Sequence, residues 1–187
     1  MPEWMKCSTS VKTNARAARA ATRRNSSPTK SKPSAITCNQ LNGQLWLWGD
    51  RLLDGKLTGL GEWEASFNDT HAAIDLIPKD VVICDWHYAR ADQTAVYFAM
   101  KGLDVVSCPW KNPDTGVAQV RDMVRFREAS TSRMRKHFLG VMQTVWGGAG
   151  GFLDQFYGRR PANDQKNPGH TEANCFKHVF EEIATHK

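Results

Sequence analysis

The chain has 187 residues, 41% of them hydrophobic and 24% charged, which is enough for one domain with a real core. Its net charge of +6 is concentrated at the front: residues 1–40 hold eight Lys or Arg and one acid, while the remainder holds seventeen bases and eighteen acids. A nucleic-acid reading therefore fits only the front, and no apolar run is long enough to cross a membrane.

Residues 1–43 are expected to form a basic, disordered or irregular segment rich in Arg, Ala and Ser. The run Arg16, Arg19, Arg23 and Arg24 suits salt-dependent, non-specific phosphate contact. With Trp4 as its single aromatic and no base-reading motif, the segment predicts no specific nucleic-acid partner. The start also lacks the apolar core of a secretory signal. Five cysteines without C-x-x-C spacing give neither a disulfide framework nor a zinc site. Cys84 and Cys108 lie in apolar runs, where a thiol acts as a small hydrophobe.

From Gln44 the pattern becomes regular. Gln44–Asp50 alternates and turns at Gly49, predicting a strand. A Gly-rich loop over 54–68, carrying Trp63, leads to a short helical stretch over 69–77. Glu62 and Glu64 flank Trp63 and read as solvated loop carboxylates. Asp80–Asp85 has the composition of a parallel strand covered on both faces. Residues 92–101 have helical spacing, with Gly102 as the stop. Leu103–Cys108 predicts the next strand, Thr115–Ala129 an amphipathic helix and Phe138–Trp146 the last strand. A glycine cluster follows, then a polar loop over 163–169 and a closing helix over 172–184. His137 and the basic residues Arg133, Arg135 and Lys136 precede the last strand, on the face of such folds that serves stability.

Four apolar runs finish on tryptophan: Trp48, Trp86, Trp110 and Trp146. Strand, helix, strand, helix predicts an α/β fold with a parallel sheet. The cadence matches about four C-terminal βα units of a (β/α)8 TIM barrel, whose active sites lie at the carboxyl ends of the strands. Four units are half of the eight a barrel needs, so two unpaired edges, half the core exposed and self-association through those edges are expected.

The motifs LWLWGDRLLDG (Leu45–Gly55), VVICDWHY (Val81–Tyr88), GLDVVSCPWKNP (Gly102–Pro113) and LGVMQTVWGG (Leu139–Gly148) carry a likeness over roughly Gln44 to Ile183. Through them the chain resembles the C-terminal half of the catalytic barrel of glycoside hydrolase family 20, the β-N-acetylhexosaminidase type. That resemblance implies that Trp48, Trp86 and Trp146 end strands five, six and eight and wall a sugar subsite, with Trp110 at the end of strand seven. It makes Asp50, Asp85 and His87 polar groups that bond sugar hydroxyls or orient an acid, with an Asp50–Arg51 ion pair as the plain alternative for Asp50. Where the family places a Tyr and an Asp after strand seven, this chain has Pro109-Trp110-Lys111. Where the family has Trp-x-Glu, Trp146 is followed by Gly147 and Gly148.

The family's chemistry needs an adjacent Asp-Glu at the end of strand four, with the substrate's acetamido group as nucleophile. No Asp-Glu occurs in this chain, so no catalytic residue is assigned and no turnover is expected as written. Trp4-Met5-Lys6 must be encoded TGG ATG AAR, and the same bases read one position earlier contain GAT GAA, Asp-Glu. Residues 1 to about 40 thus read as a frame-shifted translation of the strand-four region, a reading the coding DNA tests. The expectation is a glycoside-hydrolase-like half barrel with a carbohydrate ligand, no cofactor and no metal. The alternatives are a carbohydrate-binding or partner-completed half barrel, and a basic nucleic-acid-binding protein.

Overall fold

A computed structural model describes residues 43–160 and 167–186. The basic front, its proposed frame shift and most of the polar loop at 163–169 lie outside these residues. Strand β1 is Trp46–Trp48, β2 is Val82–Asp85, β3 is Asp104–Ser107 and β4 is Phe138–Val141. They form one parallel sheet in the order β1-β2-β3-β4. Each strand is followed by helical structure, so the α/β class and the parallel order agree with the sequence.

The helices are α1 (Gly55–Thr58), α2 (Thr94–Met100), α3 (Pro113–Ala129), α4 (Ser132–Arg135), α5 (Ala149–Phe156) and α6 (Glu172–Thr185). Their starts follow the local chemistry. Asp54 caps α1 by accepting from Lys56 and Leu57 amides, and Asn112 caps α3 with Pro113 just inside. Thr171 caps α6 through the Asn174 amide. Gly102, at φ 72°, ends the turn after α2 as expected.

The stretch 69–77 is helical as expected and forms the 3-10 helix Thr70–Leu76. Three details differ from expectation. The loop over 54–68 contains the α1 turn because Asp54 satisfies its first amides. The glycine cluster opens α5, whose Phe152 and Phe156 rings pack on Phe176 of α6; ring packing offsets the helix cost of glycine. The last strand stops at Val141, yet the Met142 amide donates to Ser107 O and the Thr144 amide to Pro109 O, both at 2.9 Å. The chain thus stays extended toward Trp146.

Two clusters hold the sheet. On the helix side Ile83, Val105, Phe98, Val120, Met123, Phe138 and Val179 are nearly inaccessible to solvent. Removing each such side chain from water stabilises the fold by roughly 1.5–3 kcal/mol. On the other face lie Val82, Cys84, Val106, Cys108 and Met142, with Trp46, Trp48, Trp86 and Leu139 against them. That face is therefore not bare, which corrects the expectation of a half-exposed core: the indoles are large enough to cover the small side chains beneath. Among the described cysteines Cys84, Cys108 and Cys175 are free thiols.

A bulge shifts the register between β3 and β4, where Val105 pairs with Phe138 but Val106 with Gly140. Gly140 has φ 131°, a conformation that side chains rarely adopt. Among the described residues no helix is long and apolar enough to cross a membrane.

Candidate functional site

Four parallel strands point their carboxyl ends the same way, and the tryptophans that end them meet there. Trp48 and Trp146 have ring centroids 5.8 Å apart. Trp86 lies 4.8 Å from the Tyr88 ring, and Tyr88 lies 5.3 Å from Trp110. Trp146 Nε1 donates to Tyr88 Oη at 2.7 Å, joining the two groups into one rim. Tilted pairs at these spacings each contribute about 0.5–1.5 kcal/mol beyond their burial. Trp146 is 59% exposed, whereas Trp48, Trp86 and Trp110 are half-buried. Burial pushes the Tyr88 phenol up to about 12, so it stays protonated at neutral pH.

Asp50 does two things at once. It accepts from Arg51 Nε at 2.6 Å, the ion pair read as the plain alternative, and from Trp86 Nε1 at 3.3 Å, which fixes the indole. Arg51 in turn donates to Ala65 O, Glu62 O and Trp63 O, tying down the loop after β1.

Asp85 and His87 sit beneath the rim rather than on it, with side chains 3% and 2% exposed. Thr94 Oγ1 donates to Asp85 Oδ2 at 2.7 Å. With its proton committed there, the same hydroxyl accepts from His87 Nε2, also at 2.7 Å. The Nε2 atom lies 3.2 Å from Asp85 Oδ1, and His87 Nδ1 lies 2.7 Å from Glu64 Oε2. Burial pushes the imidazole pKa down, but Asp85 and then Glu64 outweigh it and raise it to about 9. Below that pH His87 is a buried cation between two carboxylates. Helix α3 fixes the loop, with Gln119 Nε2 donating to His87 O and Thr115 Oγ1 to Ala89 O.

Glu64 corrects the sequence reading. It is not a solvated loop acid: its carboxylate is about one-fifth exposed and holds His87. Glu62 is exposed, and the Trp63 ring is 83% exposed.

Glu172, the first residue of α6, was not a sequence candidate. Its Oε1 accepts from Trp110 Nε1 at 2.6 Å, Trp146 N at 2.7 Å and Gly147 N at 3.2 Å. One carboxylate thereby fastens the last two tryptophans to the closing helix. Glu172 stands 62 residues from Trp110, a separation no local pattern reveals. Tyr88 also joins the rim, and its place beside Trp86 in an aromatic-rich motif was the available signal.

At the opposite end of the sheet, His137 Nδ1 lies 2.9 Å from Asp104 Oδ1, before β4 and at the start of β3. That placement agrees with its expected structural role. The rim offers stacking faces with hydrogen-bonding edges, and among the described residues it contains no Asp-Glu pair. No family model and no curated protein matches this chain.

Proposed function

We propose that residues 44–187 form four βα units of a glycoside-hydrolase-like (β/α)8 barrel that bind carbohydrate and do not hydrolyse it. The observation that carries the reading is the gathering of Trp48, Trp86, Tyr88, Trp110 and Trp146 at one carboxyl-end rim. A pyranose presents an apolar C–H face with hydroxyls at its edge, and a flat indole matches that face. Concave sites lined by aromatics with few oriented polar groups are the common form of ligand pockets. The likeness of the strand-end motifs to family 20 favours an N-acetylhexosamine-containing glycan. The stretch Pro109-Trp110-Lys111 where the family has a Tyr and an Asp, and Gly147-Gly148 where it has Trp-x-Glu, widen the range of sugars to test.

Hydrolysis needs a proton donor at the leaving oxygen. Asp85 and Glu64 are engaged with His87, and Glu172 with indole and backbone donors. Isothermal titration with chito- and cello-oligosaccharides, beside an aryl N-acetylglucosaminide hydrolysis assay, tests the proposal. Saturable binding without turnover is expected. Turnover abolished by a single carboxylate substitution would make the chain an enzyme, and absence of all sugar binding would remove the function.

A further inference from the structure

His87, Glu64 and Asp92 each direct one ligand-type atom into a common space at the carboxyl ends of β1 and β2. These atoms lie within 4.8 Å of one another. His87 is buried, whereas Glu64 and Asp92 keep about one-fifth of their side-chain surface in solvent. An ion therefore has a path from water to a donor fixed in the protein interior.

The orientation of the imidazole is settled from behind. The Thr94 proton goes to Asp85, so Nε2 must carry the hydrogen that faces Thr94 and Asp85. The Nδ1 atom is left toward Glu64, and Asp92 completes the cluster of ligand-type atoms. A histidine whose far N–H is held by a carboxylate while the near nitrogen faces other donors has the arrangement found around metal-bound imidazoles. Asp85 and Thr94 lie in β2 and at the start of α2, and Gln119 on α3 holds the His87 carbonyl. The backing is rigid secondary structure, and Glu64 and Asp92 come from the loops after β1 and β2.

We propose that His87 Nδ1, Glu64 and Asp92 form a binding site for a divalent transition-metal cation of the zinc class. One nitrogen and two carboxylate oxygens suit zinc better than calcium or magnesium, which favour all-oxygen sets. The charges also fit: two carboxylates neutralise a divalent ion once the imidazole is neutral. On binding, the cation replaces the proton on Nδ1, and that proton leaves to buffer. A water completes the coordination of the ion. Arg90, whose Nε lies 3.0 Å from both oxygens of Asp92, holds that loop carboxylate from the solvent side. The inference departs from the expectation of no metal, which rested on cysteine spacing alone and gave no view of a histidine paired with a carboxylate 23 residues away. It stands whether or not the rim binds a glycan.

The test uses the full, tag-free chain stripped with chelator and titrated with Zn²⁺ alone by calorimetry in buffers of different ionisation enthalpy. One ion per chain is expected, with about one proton released and no comparable uptake of Mg²⁺ or Ca²⁺. Asp92→Asn, on an exposed loop, and Glu64→Gln are each expected to weaken zinc binding by about tenfold or more. His178→Gln, on the exposed side of α6, is expected to leave it unchanged. Melting curves of the metal-free variants establish that they fold, and Asp92→Asn alone suffices if Glu64→Gln does not. No stoichiometric uptake, or uptake undiminished in Asp92→Asn, overturns the site and leaves His87 a purely structural cation.

Discussion

At His87 burial and charge act in opposite directions, and the two carboxylates win. The pKa is raised from 6.5 to about 9, so the folded state binds this proton more tightly than the unfolded chain. The resulting stabilisation is complete below pH 6.5 and disappears as pH rises through about 9. A shift of this size corresponds to roughly 3 kcal/mol at most. Urea unfolding of the metal-free chain is expected to show a midpoint that falls between neutral pH and pH of about 9.5. A His87→Gln variant is expected to be less stable at neutral pH and to lack that fall. A flat profile in the parent chain would contradict a charged His87. The same residue shows where sequence reading stops. His87 was legible as polar and strand-terminal, but its partner Glu64 lies on a loop whose path depends on Arg51 gripping three carbonyls.

At the scale of elements, strands were legible wherever one composition dominated. Val82–Asp85 and Asp104–Ser107 have apolar centres, Val-Ile-Cys and Val-Val, and both formed within two residues of expectation. Helix α5 was not legible, because Gly150 and Gly151 carry no helix preference and the helix depends on the distant Phe176. Helix α3 and helix α6 meet at another feature hidden in sequence. A Cβ on Gly116 would stand 2.7 Å from Val179 Cγ2 and 2.8 Å from Cys175 Sγ, so the glycine permits close approach. Gly116→Ala gains helix propensity but forces the two helices apart, and overpacking costs about 1–3 kcal/mol. A net loss in thermal stability is expected by calorimetry. A variant as stable as the parent would show that α6 can shift without penalty.

Among the described residues the indole rim and the His87 network share one end of the sheet. The amino ends of the strands carry the His137–Asp104 contact, while the carboxyl ends carry the indole rim and, beneath it, the His87 network. Parallel strands make this polarity unavoidable, since all carboxyl ends share one edge. The sequence foretold the polarity because four runs ended in the same residue type. It did not foretell what fastens the rim, since Glu172 and Tyr88 act across long separations. Nor did it foretell that the second sheet face would be covered. Among the described residues β1 and β4 are the outer strands of the sheet, and the proposed half barrel predicts association through them.

The indole N–H resonances of the seven tryptophans report directly on whether the rim takes a glycan. In spectra of nitrogen-15-labelled chain titrated with chito-oligosaccharide, the signals of Trp48, Trp86, Trp110 and Trp146 are expected to shift together along one binding curve. Trp63, whose ring is 83% exposed on its loop, is expected to stay in place. Shifts confined to Trp63, or none at any strand-end indole across every sugar tested, would contradict a glycan-binding rim.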